Sequence, residues 1–132
     1  MEEILQFLRE NSPFYFTSVD GDKPRVRPLG FFMEYNGKLY FGIGKEKASY
    51  KQLIANPNVE VCTCNNQRQW IRIRGTAVFD DSAETLAKAY ETKPNLKNTY
   101  NEKSGLIFGI FYLKDGEAEI ADMRGHFKKI SF

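Results

Sequence analysis

Three stretches carry residue types that could do chemistry. The first is Pro24-Arg25-Val26-Arg27-Pro28-Leu29-Gly30. The period-2 alternation of a strand puts Arg25 and Arg27 on one face and Val26 on the other. Two guanidiniums about 6–7 Å apart can grip a phosphate through charge-assisted hydrogen bonds. The alternative is an exposed edge strand with two solvated arginines. The second stretch is Phe41-Gly42-Ile43-Gly44-Lys45-Glu46-Lys47-Ala48-Ser49. Glycines at the end of a strand let the backbone approach a ligand closely. The helix expected next offers unpaired N–H groups and a positive dipole end, which suit an anion. Lys47 and Ser49 fall in its first turn. A lysine there opposes the dipole preference, and an anion would relieve the conflict; an ordinary strand-to-helix turn is the alternative. The third stretch is Gln69-Trp70-Ile71-Arg72-Ile73-Arg74-Gly75. Ile71 and Ile73 would face the core, leaving Trp70, Arg72 and Arg74 together on the other face. That face suits a flat aromatic ligand or a partner subunit, or the ring is simply covered by arginine stems.

Other chemistries find no support. One histidine (His126) and two cysteines (Cys62, Cys64) exclude a His-rich metal centre and a disulfide framework. Cys62 and Cys64 lack the second pair that zinc would need and read as buried thiols. Gly42-Ile43-Gly44 lacks the third glycine of a dinucleotide fingerprint, and no Walker loop is present. No Ser/His/Asp arrangement can be built around a single histidine, so no catalytic residue is assigned.

These residues need elements to hold them. Ile4, Leu5 and Leu8 predict a short amphipathic helix over 2–10. Phe14–Val19 reads as a strand ending at the turn Asp20-Gly21-Asp22, and Pro24–Tyr35 as one long strand. Asn36-Gly37 predicts a hairpin into Lys38–Ile43. Lys47–Asn56 fits a helix with Tyr50, Leu53 and Ile54 on one face, stopped by Pro57. Asn58–Cys64 and Gln69–Phe79 read as an antiparallel pair joined at Asn65–Arg68. Asp81-Ser82-Ala83-Glu84 resembles a capping box opening a helix to about Glu91, and Pro94–Lys103 is irregular. Leu106–Leu113, a turn at Lys114-Asp115-Gly116, Glu117–Met123 and Phe127–Ser131 complete the strands. Short strands joined by hairpin turns predict a mainly β protein with peripheral α-helices, an antiparallel barrel of six to seven strands.

The 132 residues suit a single domain spanning 1–132. About two-thirds of the unfolded surface would be buried at this size, and the 42% hydrophobic residues supply the core. The net charge of +2 hides an asymmetry: residues 21–55 carry seven Lys/Arg against three acids. A local surplus on a weakly charged chain fits a discrete anionic ligand better than a nucleic-acid surface. No stretch approaches 18 apolar residues, and Met1-Glu2-Glu3 lacks the basic start of a signal peptide. The expectation is a soluble, cytoplasmic protein that touches neither membrane nor nucleic acid.

In order along the chain, Gly21-x-x-Pro24-x-x-Arg27-Pro28, the Lys38–Gly44 strand, Lys47…Gln52-Leu53-x-x-Asn56-Pro57-x-Val59 and Trp70-x-Arg72-x-x-Gly75 resemble the pyridoxamine 5′-phosphate oxidase-like family. The resemblance spans roughly residues 14–113. It implies the FMN-binding split-barrel fold, a homodimer, and FMN in clefts at the dimer interface. Arg27 matches the family's phosphate-binding arginine, and Pro28 and Leu29 the strand whose backbone faces the isoalloxazine ring. Gly42, Ile43 and Gly44 match the segment beside the ring, and Lys47 with Ser49 the residues on the phosphate. Trp70 matches a glutamine that the family uses against the flavin. Arg25 joins the candidates through the face it shares with Arg27. The oxidases carry a lysine where Phe32 stands, five residues after the phosphate arginine, and a longer C-terminal part, so vitamin B6 oxidation is not expected. Arg124-x-His126 echoes their Arg-x-His spacing in a different context.

The expected activity is an FMN-dependent oxidoreductase moving a hydride or electrons between a nicotinamide donor, NADH or NADPH, and a small-molecule substrate. The alternative is a non-catalytic protein that stores or senses flavin, or binds haem through His126. A barrel binding single-stranded nucleic acid through Trp70, Arg72 and Arg74 is a third reading, which a chain of charge +2 disfavours.

Overall fold

The computed structural model describes residues 1–132. The elements run α1 (Glu2–Glu10), β1 (Phe14–Asp20), β2 (Lys23–Leu29), β3 (Phe32–Tyr35), β4 (Lys38–Gly44), α2 (Ala48–Ala55), β5 (Asn58–Cys64), β6 (Gln69–Phe79), α3 (Ala83–Thr92), a 3-10 turn (Pro94–Asn98), β7 (Phe108–Asp122) and β8 (Phe127–Ser131). All pairings are antiparallel, in the order β2-β1-β5-β6-β7-β4-β3, with β8 also on β7. The fold class is the one expected; the strands number eight.

The stretch read as one strand from Pro24 to Tyr35 is two, and they lie at opposite ends of that order. Only Gly30 and Phe31 join them, a link that spans about 10 Å at most. The sheet must therefore curl until its two edges come close without pairing, which is a split barrel. Pro24 and Pro28 give a physical reason for the edge, since neither can donate to a further strand. The opposite error occurs at Lys114-Asp115-Gly116, where β7 runs straight through the expected turn. Asp115 takes a positive φ of 53°, and the β6–β7 register slips between Arg74 and Thr76. The turn-type residues make a bulge, which bends the strand instead of reversing it.

The hairpin at Asn36-Gly37 forms as expected, with φ of 52° and 73°, as a type I′ turn requires. Inside the curl, Phe14, Phe16, Phe41, Phe111, Val61, Ile71 and Ile73 form the main core, closed by Ile4 and Leu8 of α1 and Leu53 of α2. A second cluster, including Phe31, Met33, Tyr40 and Phe108, packs Ala89 of α3 and Leu96 against the β3–β4–β7 side. The α3 cap is Ser82, whose hydroxyl accepts from the Thr85 backbone N–H at 3.3 Å. The Ser82 N–H donates to Asp80 at 3.0 Å, so the cap is a single bond and not the box expected from Asp81 and Glu84. Ile54, expected on the inner face of α2, is exposed.

Candidate functional site

A two-residue turn at Gly21-Asp22 sets the β1–β2 register: Ser18 lies opposite Arg25 and Phe16 opposite Arg27. Both arginines therefore meet neutral residues across the strand pair. Arg27 Nη2 donates to Ser18 Oγ at 3.0 Å and to Gln52 Oε1 at 3.2 Å, and Nη1 donates to the Phe16 carbonyl at 3.3 Å. No carboxylate lies within ion-pair distance of Arg27, whereas Arg25 pairs with Asp20 at 3.4 Å. Partial burial desolvates the Arg27 guanidinium and lowers its pKa. A half-buried cation held only by neutral acceptors is a site that an anion would complete.

Around Arg27 opens a cleft of about 660 Å3, within the range of small-molecule sites. Its wall on β2 is Arg25, Arg27, Pro28 and Leu29; its floor on β4 is Gly42, Ile43 and Gly44; its end is Lys47 with Ala48, Ser49 and Gln52 of α2. Nine of the ten residues singled out from the sequence meet in this one cavity. α2 starts at Ala48, so Lys47 is the N-cap residue in extended backbone (φ −76°, ψ 149°) and not part of the first turn. That turn holds no acidic residue of its own to offset the positive helix end. Ser49 is buried at the second helical position.

The tenth residue, Trp70, is not in the cleft. It sits at the start of β6, opposite Cys64 and Ala121, with the Arg72 guanidinium 5.7 Å from its ring centroid. Its Nε1, like Arg74 Nε, is buried without a hydrogen-bond partner in this chain. The glycines also have a use other than ligand approach. A Cβ on Gly42 would stand 2.1 Å from the Phe108 ring, and one on Gly44 2.4 Å from the Glu46 carboxylate. Glycine at 42 is required by the packing of the second core cluster beneath the cleft.

Sequence reasoning missed Ser18, Asp20, Gln52 and Tyr100. Ser18 follows from the hairpin register once the turn length is fixed. Gln52 lies three residues after Ser49, on the same helix face. Tyr100 comes from the irregular segment after the 3-10 turn and reaches the cleft through tertiary packing alone, its ring 4.8 Å from that of Phe108. Burial, with Glu46 and Tyr90 nearby, raises its pKa. His126, the only histidine, stands exposed after β7, 3.0 Å from Asp122 and away from the cleft.

Residues 1–107 match the family model for pyridoxamine 5′-phosphate oxidase. This chain belongs to that family. A NimC/NimA family protein from Clostridium acetobutylicum is 40% identical and superposes with a TM-score of 0.91, covering 100% of this chain and 92% of that one. Two more distant structures share the family's fold. A pyridoxamine 5′-phosphate oxidase-related, FMN-binding protein from Nostoc punctiforme is 16% identical, with a TM-score of 0.65 over 99% of this chain and 95% of that one. A haem-binding protein from Mycobacterium smegmatis is 10% identical, with a TM-score of 0.69 over 94% of this chain and 55% of that one. Among curated proteins, none matches the chain. No helix is long and apolar enough to cross a membrane.

Proposed function

We propose that this oxidase-family chain binds FMN in the β2–β4–α2 cleft and works as a cytoplasmic flavin-dependent oxidoreductase. The observation that carries the reading is the Arg27 guanidinium, desolvated and without a carboxylate, at the meeting point of the two stretches that family resemblance assigns to FMN. The donor set fits a flavin phosphate: Arg27 at the base, Arg25 and Lys47 at the rim, and Ser49 with the N-terminus of α2 at the end. Pro28, Leu29 and Ile43 supply apolar surface for a flat ring. When bound, FMN supplies the hydride or electron transfer, and the residues here bind and orient it. No side chain in the cleft is assigned a catalytic proton.

A homodimer belongs to the same reading. The family resemblance implies it, and the part-buried Trp70 lies outside its own chain's cleft. Through such a dimer Trp70 could approach the partner's cleft, consistent with its position outside its own. The haem alternative gains nothing from the cleft, because His126 does not line it.

The test is the absorption and fluorescence of the purified protein titrated with FMN. Stoichiometric binding at micromolar concentration supports the reading; no binding at high micromolar FMN ends it. Oxidation of NADH or NADPH by the holoprotein, over a panel of small acceptors, then separates an oxidoreductase from a flavin store.

A further inference from the structure

Gln52 has a role that Arg27 alone does not explain. An arginine only donates hydrogen bonds, so the side-chain atom of Gln52 that faces Nη2 at 3.2 Å must be the carbonyl oxygen. The same oxygen accepts from the fully buried Ser18 hydroxyl at 2.5 Å, while that hydroxyl accepts from Arg27 at 3.0 Å. The three groups form a closed triangle of Arg27, Ser18 and Gln52. Two consequences follow. Flipping the Gln52 amide would lose the bond from Arg27, because an N–H cannot accept from a guanidinium, so Oε1 is fixed toward Arg27. Equally, the guanidinium is held in one plane by neutral acceptors, which fix it without cancelling its charge. A glutamate in the same place would fix it as well but neutralise it.

We infer that Gln52 is the positioning residue that sets the phosphate selectivity of the cleft, orienting Arg27 through its Oε1. This rests on reading the cleft as the flavin-phosphate site. The ligand chemistry it selects is a phosphate monoester, and the quantity it controls is the preference for FMN over riboflavin. Ser18 is the buried anchor of the arrangement.

The experiment measures dissociation constants of FMN and riboflavin by flavin fluorescence for the wild type, Gln52→Met, Gln52→Glu and Ser18→Ala, with and without Arg27→Ala. Gln52→Met should weaken FMN about tenfold and Gln52→Glu at least fiftyfold, with riboflavin changed less than threefold in both. In the Arg27→Ala background the Gln52→Met loss should shrink to threefold or less, because Gln52 acts chiefly through Arg27. Ser18→Ala should give a smaller loss in the same direction. Equal losses for FMN and riboflavin, or an undiminished tenfold loss without Arg27, overturn the proposal. A flavin-free readout is the Arg27 Nε–H resonance during titration with inorganic phosphate: a saturable shift in the wild type whose midpoint rises severalfold or more in Gln52→Met supports the role, and an unchanged midpoint in that variant rejects it. Failure of the wild type to bind FMN sinks the flavin reading, and the phosphate titration then judges Gln52 separately.

Discussion

Arg25 and Arg27 on β2 and Arg72 and Arg74 on β6 are the same sequence pattern, two arginines two residues apart on a strand, with opposite electrostatic outcomes. Across from the first pair, β1 places Ser18 and Phe16, and although Arg25 still reaches Asp20 at 3.4 Å, Arg27 is left without a carboxylate. Across from the second, β5 and β7 place Glu60, Glu117 and Glu119. Arg74 consequently meets three carboxylates at 3.5–3.9 Å, and Arg72 meets Glu119 at 3.7 Å. Opposite charges facing each other across a ladder stabilise the sheet by a few tenths to about 1 kcal/mol per pair. That pair is spent on the fold, while Arg27 keeps its charge available. The difference lies in the register of the neighbouring strands and not in the arginines.

The largest expected effect breaks the first pair. Arg27→Ala should weaken FMN about a hundredfold, near 3 kcal/mol, the upper end for a hydrogen-bonded charged group. Riboflavin should change by less than threefold. Equal losses for both ligands would mean that Arg27 supports the fold as Arg74 does, and the contrast would collapse. Arg74→Met is the mirror test. It leaves Glu60, Glu117 and Glu119 facing one another, so the urea midpoint should fall by the equivalent of about 1–2 kcal/mol, a figure limited by the half-exposed, solvent-screened site. The FMN-to-riboflavin ratio should stay at its wild-type value. A ratio that fell with Arg74→Met would assign the second pair to the ligand after all.

A gain of function sharpens the comparison further. In an Arg27→Ala background, Glu117→Gln with Glu119→Gln frees Arg72 and Arg74 of most of their partners. If carboxylates alone distinguish the two pairs, the triple variant should acquire sulfate-dependent stabilisation of about 5 °C in Tm at tenfold excess over its dissociation constant. Arg27→Ala alone should show little. Identical sulfate responses would show that burial and the triangle of Ser18 and Gln52, more than missing carboxylates, make an anion site.

Much of this contrast was within reach of the sequence. The Arg-x-Arg patterns, the edge prolines, the Asn36-Gly37 hairpin and the pairing of β5 with β6 are local signals, and local signals survive folding. Strand order is not local. Nothing in Pro24–Tyr35 says that two residues carry the chain from one edge of the sheet to the other, because curling depends on how β5, β6 and β7 twist between them. The same limit hid Tyr100, whose segment has no periodicity. At Lys114-Asp115-Gly116 a residue with positive φ served equally for a turn or a bulge, and the long β6 partner decided for the bulge. Trp70 shows a different limit: its neighbours on the strand follow the alternation expected, but strand alternation does not say which cavity a side chain lines, and Trp70 lies outside the cleft.

Lys47 offers the smallest effect and the finest discrimination. It is exposed and has no ion pair, and it stands at the N-cap of α2 instead of within the helix. A solvated charge of this kind contributes under about 1 kcal/mol, so Lys47→Ala should weaken FMN about threefold in dilute buffer. The loss should vanish near 0.5 M salt, where the screening length is only about 4 Å. The Arg27→Ala loss should largely persist at the same ionic strength, because its contacts are short and partly shielded from solvent. Measuring both variants across a salt series therefore separates an anchor from a rim charge. A Lys47 effect as large and as salt-resistant as that of Arg27 would move the anion from the strand to the helix end.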